Sequence, residues 1–132
     1  MYLSGKSALV TGGAKNLGAD IARELAGAGL SNLAVHYNSA STKSDAAKLE
    51  IELREKYPGL KTVVFQADLT TADAVHSLFQ NVVKEFGKID IVINTIGKVL
   101  KKPITEISEK EYDDMFAYVP FLSFFLVGVL IM

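Results

Sequence analysis

The chain contains no cysteine and no tryptophan. Without thiols there are no disulfides, no thiolate catalysis and no cysteine-built zinc site; a reducing compartment fits, and the cytoplasm is the expected location. Proline is scarce, at three in 132 residues, and neither an internal repeat nor a low-complexity linker is visible, so one domain is expected. Neither sign of charge dominates. Fourteen basic and 15 acidic residues are interspersed, with a net charge of −1, which speaks against nucleic acid as a partner. The two histidines, His36 and His76, have no partner at metal-ligand spacing, so no metal is expected. The opening MYLSGKSALV has no charged segment followed by an apolar run and a small-residue cleavage site, and no secretory signal is read from it.

Strand and helix patterns alternate along the chain. Ser7 to Thr11 is a short apolar run bounded by glycines, the pattern of a buried strand. Leu17, Ile21 and Leu25, with Ala22 beside them, form the apolar stripe of a helix that Gly27 to Gly29 stops. Asn32 to Tyr37 is a second strand, followed by a polar loop in which Thr42 and Asp45 resemble a capping box. The next helix carries Ala46, Leu49, Leu53 and Tyr57 and ends at Pro58 and Gly59. KTVVFQADLT, from Lys61, reads as a third strand, rich in β-branched residues. The clearest helical stripe follows a Thr70 or Thr71 cap: Val75, Leu78, Phe79, Val82, Val83 and Phe86, closed by Gly87. KIDIVINTIG is a fourth strand running into a turn, and Ser108 to Glu111 is a capping box opening a helix through Tyr112, Met115 and Phe116. This order predicts an α/β fold with a doubly wound parallel sheet, four strands in the order 3-2-1-4.

In such a sheet the turn after the first strand lies at the carboxyl edge, at the switch point where ligands bind. That turn is TGGAKNLG, Thr11 to Gly18, and it leads directly into a helix. Helix N-termini present unpaired N–H groups and a partial positive charge to an anion. Gly12 and Gly13 have no Cβ to block a pyrophosphate, and Gly18 sits where a side chain would push the helix from the sheet. An ordinary tight turn is the competing reading.

TGGAKNLG resembles the TGxxxGxG turn of the short-chain dehydrogenase/reductase family. Two further marks agree: ADL, Ala67 to Leu69, after the third strand, and NTIG, Asn94 to Gly97, after the fourth. The resemblance implies a Rossmann-type fold, with residues 1–132 a single, partial dinucleotide-binding domain and 116–132 an atypical apolar segment. It implies cofactor contacts at Gly12, Lys15, Asn16, Leu17 and Gly18 in the turn and at Tyr37, Asn38 and Ser39 after the second strand. Asp68 and its neighbour Leu69 would hold the adenine, Asn94 would brace the sheet, and Gly97 would border the cofactor. Asn16 departs from the family's second glycine, but asparagine is the next most tolerant residue for positive φ. Thr95 and Ile96 replace the family's asparagine and alanine, and Ile96 crowds the region beside the ribose.

An enzyme selecting NAD(H) usually carries an acid at the end of the second strand, against the ribose 2′-hydroxyl. Here VHYNSAS, Val35 to Ser41, has none. Lys15, at a position where this family commonly pairs a basic residue with the 2′-phosphate, favours NADP(H) over NAD(H). Asn38, Ser39 and Ser41 offer hydrogen bonds to the same group. The missing acid also argues against another doubly wound nucleotide binder such as a methyltransferase.

By resemblance the reaction moves hydride between nicotinamide and a carbonyl or alcohol carbon of a small molecule, a tyrosine transferring the proton. A lysine four residues on would lower that tyrosine's pKa, a serine would orient the oxygen, and an asparagine would support a water-linked proton path. Among Tyr2, Tyr37, Tyr57, Tyr112 and Tyr118, only Tyr2 has a lysine four residues later, Lys6, and that pair precedes the first strand. No catalytic residue is therefore assigned, and Val119 stands where the helix asparagine is expected. Residues 116–132 contain no charge across 17 positions. They read as a packed helix continuing the fold, or as an altered segment of a longer enzyme. A membrane tail is disfavoured, because 17 residues sit at the short limit and Asp113 and Asp114 are poor anchors. An exposed fourth-strand edge beside an apolar tail would lead to homo-oligomerisation, aggregation or a larger parent protein. The rival to an oxidoreductase is a truncated module that holds dinucleotide or pairs with another subunit without turnover.

Overall fold

The computed structural model describes residues 2–96 and 101–118. Strand β1 (Ser7–Thr11) is buried at every position, as a strand flanked on both sides and covered on both faces must be. β2 (Asn32–Tyr37) and β4 (Ile91–Asn94) pair with it in parallel, and β3 (Lys61–Gln66) pairs in parallel with β2. The sheet order is β3-β2-β1-β4, the expected one. Four α-helices follow the strands in turn: α1 (Asn16–Gly27), α2 (Ala40–Lys56), α3 (Ala72–Phe86) and α4 (Glu109–Tyr118). A short 3-10 turn at Ile104–Glu106 precedes α4.

Alternation along the strands divides the core in two. Ala8, Val10, Leu33 and Val35 pack with α1 and α2 through Ala22, Ala26, Leu49 and Leu53. Leu9 and Ala34 pack on the other face with Val75, Leu78, Phe79 and Val82 of α3. Leu9, Leu33 and Leu53 are fully buried, each contributing about 1.5–3 kcal/mol to the hydrophobic term.

Four local expectations change. On α1 the buried face is Gly18, Ala19, Ala22 and Ala26, while Leu17 is 65% exposed. Small residues let the helix lie close to the sheet, and the larger Ile21 and Leu25 pack only partly against it. α2 starts earlier than a Thr42–Asp45 capping box implies. Ser39 is its N-cap, and Thr42 lies in the first turn with its hydroxyl donating to the Ser39 carbonyl at 2.9 Å. β3 ends at Gln66, so Ala67, Asp68 and Leu69 form the loop beyond it. The α3 stripe holds except at Val83, which is exposed.

Several predicted caps form. Thr71 accepts the Ala74 N–H at 3.2 Å, and Gly87 stops α3 in the left-handed conformation with φ 80°. Ser108 and Glu111 cap α4 reciprocally. Among the described residues no helix is long and apolar enough to cross a membrane. Gly97, the side chains of Met115 and Phe116, and residues 119–132 with Val119 and most of the apolar segment lie outside the described residues.

Candidate functional site

The ends of the two inner strands, β1 and β2, lead into a cavity of about 340 Å³, within the range of small-ligand sites. The glycine turn forms one wall. Gly12 has φ 66° and Asn16 has φ 55°, the one positive φ among the described non-glycine residues. Asparagine thus occupies the left-handed conformation that the sequence requires of it. Gly18 is pressed against the turn: a Cβ there would overlap the Gly12 carbonyl oxygen. The glycine serves contact between helix and turn, more than the helix-to-sheet contact expected for it. A Cβ on Gly13 would meet the Val10 carbonyl at 3.0 Å and Val35 at 3.1 Å, so this glycine answers to core packing.

The N–H groups of Gly12 and Gly13 are not available to a phosphate. Gly12 N–H donates to His36 Nδ1 at 3.1 Å and Gly13 N–H to the His36 carbonyl at 3.0 Å. The free donors of the turn come after them. Lys15 stands at the N-cap of α1 in an extended conformation, and no side chain caps the helix. The first turn of α1 has no capping side chain, and Asn16, Leu17 and Gly18 line the cavity. Lys15 is exposed, and its ammonium has no ion pair among the described residues.

Lys15, Asn16, Leu17, Gly18, Tyr37, Asn38, Ser39 and Leu69 all line this cavity, together with Gly12. Two expected residues do not. Asp68 is exposed, and its carboxylate accepts the Thr70 N–H at 3.2 Å. Asn94 supports from behind, its side-chain oxygen accepting the Thr11 hydroxyl at 2.8 Å and the Ile96 N–H at 3.0 Å. Gly97 lies outside the described residues.

Four liners carry more than the sequence assigned to them. Thr95 donates to the Thr11 carbonyl at 2.7 Å, bracing the turn, and Ile96 follows it on the wall. Thr42 contributes from the first turn of α2. His36 is fully buried. Its Nε2 donates to the Ala67 carbonyl at 2.8 Å while Nδ1 accepts from Gly12. Burial holds its pKa below the ordinary histidine value, with the Ala67 carbonyl acting the other way. The available signal was its position, one residue before the strand end on the same face as Ala34.

Residues 6–131 match the family model for short chain dehydrogenase. The chain belongs to that family. Among curated relatives of this short-chain dehydrogenase chain, the hydroxynaphthalene reductase-like protein Arp2 of Metarhizium brunneum is 40% identical over 114 residues, covering 86% of this chain and 41% of its own. The 3-oxoacyl-[acyl-carrier-protein] reductase FabG of Staphylococcus aureus is 34% identical over 110 residues, 83% of this chain and 43% of its own. The chain thus spans about two fifths of the length of the curated relatives it matches. A Burkholderia cenocepacia crystal structure with bound NADP, described as a dehydrogenase, superposes with a TM-score of 0.90 at 53% identity, over 96% of this chain and 47% of that one. A blue fluorescent protein from a metagenomic library, in complex with NADPH, superposes with a TM-score of 0.89 at 31% identity, covering 97% and 51%.

Proposed function

We propose that these residues form the NADP(H)-holding half of an oxidoreductase that interconverts a small carbonyl compound and its alcohol. The observation that carries the cofactor choice is the pairing of an unpartnered Lys15 with an acid-free β2 end on one cavity wall. A carboxylate at the end of β2 would accept from a ribose 2′-hydroxyl and repel a 2′-phosphate. Lys15, Asn38 and Ser39 instead offer positive charge and hydrogen bonds to that phosphate. The NADP and NADPH held by the two structural neighbours support the same reading. Gly12 and Gly18 bring the turn's backbone close, the uncapped α1 terminus receives the diphosphate, and Leu69 borders the adenine. When bound, the nicotinamide supplies or accepts hydride.

The 132 residues contain no Tyr-x-x-x-Lys pair other than Tyr2 and Lys6, and Tyr2 is 95% exposed. On their own, then, they bind cofactor without turning substrate over. The second reading, a module that holds dinucleotide or pairs with another subunit through the outer edge of β4, rests on the same fact. A cytoplasmic location and a homo-oligomeric parent complete the proposal.

Titration with NADPH and NADH tests it. NADPH is expected to bind about tenfold more tightly, and Lys15→Glu to remove most of that preference while leaving NADH affinity nearly unchanged. No uptake of either nucleotide by folded protein would overturn the cofactor reading. Saturable NADPH oxidation by the 132 residues alone would overturn the lack of turnover.

A further inference from the structure

His36 receives two consecutive N–H groups of the glycine turn, one on its ring and one on its carbonyl. Its other ring nitrogen reaches the Ala67 carbonyl at 2.8 Å, on the loop between β3 and α3. The fully buried imidazole therefore bridges the two segments that wall the cavity at Gly12 and at Leu69. One nitrogen accepts an N–H and the other faces a carbonyl. Only the neutral ring with its hydrogen on Nε2 satisfies both partners. A proton on Nδ1 would set two N–H groups against each other and place a charge in the core.

We propose that His36 is a positioning residue for the dinucleotide. In its neutral Nε2–H form it fixes the glycine turn against the β3–α3 loop, and cofactor affinity depends on that tie. The proposal rests on reading the cavity as the NADP(H) site. The charged groups on the two bridged segments are Lys15 and Asp68, both exposed, with the Asp68 carboxylate turned to Thr70. α3, packed on the same face of β2, carries Asp73 and His76 near its start, both exposed. Half-buried Tyr37 follows His36 on β2. Burial dominates the ring's titration, and no charged side chain contributes to its shift.

Calorimetric titration with NADP⁺ between pH 7.5 and 5.5 tests the tie in the parent, His36→Asn and His36→Leu. Asparagine keeps an acceptor near the Nδ1 position and does not titrate, but it cannot reach the Ala67 carbonyl, so His36→Asn should bind more weakly than the parent at pH 7.5 and more tightly than His36→Leu. His36→Leu leaves the Gly12 N–H and the Ala67 carbonyl unpaired, and should bind at least about tenfold more weakly. The titration of the cofactor's 2′-phosphate, near pH 6 in free solution, is common to all three proteins, so the difference between curves isolates His36. The parent should lose affinity more steeply on acidification than His36→Asn. Parallel pH curves, or a folded His36→Leu protein binding like the parent, would overturn the proposal. Should His36→Leu not fold, the parent and asparagine curves decide. Absence of binding by the parent would overturn the cofactor reading. The imidazole ¹⁵N spectrum judges the tie separately, since a ring protonated at Nδ1 in neutral solution refutes it.

Discussion

The Thr11 hydroxyl donates to the Asn94 side-chain oxygen at 2.8 Å, joining the ends of β1 and β4 at the carboxyl edge of the sheet. The same oxygen accepts the Ile96 N–H, so one amide orders both the strand end and the turn after it. Asn94→Ala should lower stability by about 1–2 kcal/mol, seen as a reduced urea midpoint with an unchanged slope. Asn94→Asp retains the acceptor and should lose less. Equal midpoints for Asn94→Ala and the parent would contradict this role.

Gly18→Ala sets two effects against each other. Alanine favours a helix over glycine by about 1 kcal/mol, but its Cβ would overlap the Gly12 carbonyl oxygen. That neighbour is backbone and has no rotamer to swing aside, so strain of about 1–3 kcal/mol or more wins. The variant should melt lower than the parent and bind NADPH at least about tenfold more weakly. A thermal melt with nucleotide titration checks both, and a stabilised variant with parental affinity would refute the packing argument.

Asn16 gives the opposite test, a left-handed residue that is not glycine. Asn16→Gly should be nearly neutral, while Asn16→Val should cost about 1–2 kcal/mol because a branched Cβ crowds the following carbonyl. The order of the two melting temperatures decides, and a valine variant as stable as the glycine variant would show that the turn can relax.

Acid should destabilise the fold through His36. Its folded-state pKa lies below the ordinary 6.5, so the unfolded chain takes up the proton first. The neutral ring's contribution is complete above pH 6.5 and is lost progressively as the pH falls from there towards the lowered value. Denaturant unfolding at pH 7.5 and 5.5 should show a smaller drop for His36→Asn than for the parent. An equal drop in both would mean that other groups account for it.

Much of this was legible because backbone requirements leave narrow choices. Apolar strands alternating with helical stripes specified the sheet order, and the Thr11 to Gly18 run marked its switch point. The phase of α1 was misread because alanines and glycine, not Leu17, form its close-packed side. Periodicity counts large apolar residues, whereas tight approach selects small ones. The bridging role of His36 was illegible for a different reason. Its environment is built by Gly12 and Ala67, 24 and 31 residues away, and no local pattern reports such partners. Asp68 shows the converse, a motif position whose side chain completes a local turn onto Thr70 instead of reaching the cavity.

The turn after β1 is made early in the chain, but its brace from Asn94 arrives 83 residues later. On a ribosome the glycine loop emerges long before the strand that steadies it. Closing a loop that long adds entropy cost only slowly with length, yet β1, β2 and β3 and most of the cavity lining precede the Asn94 brace in the chain.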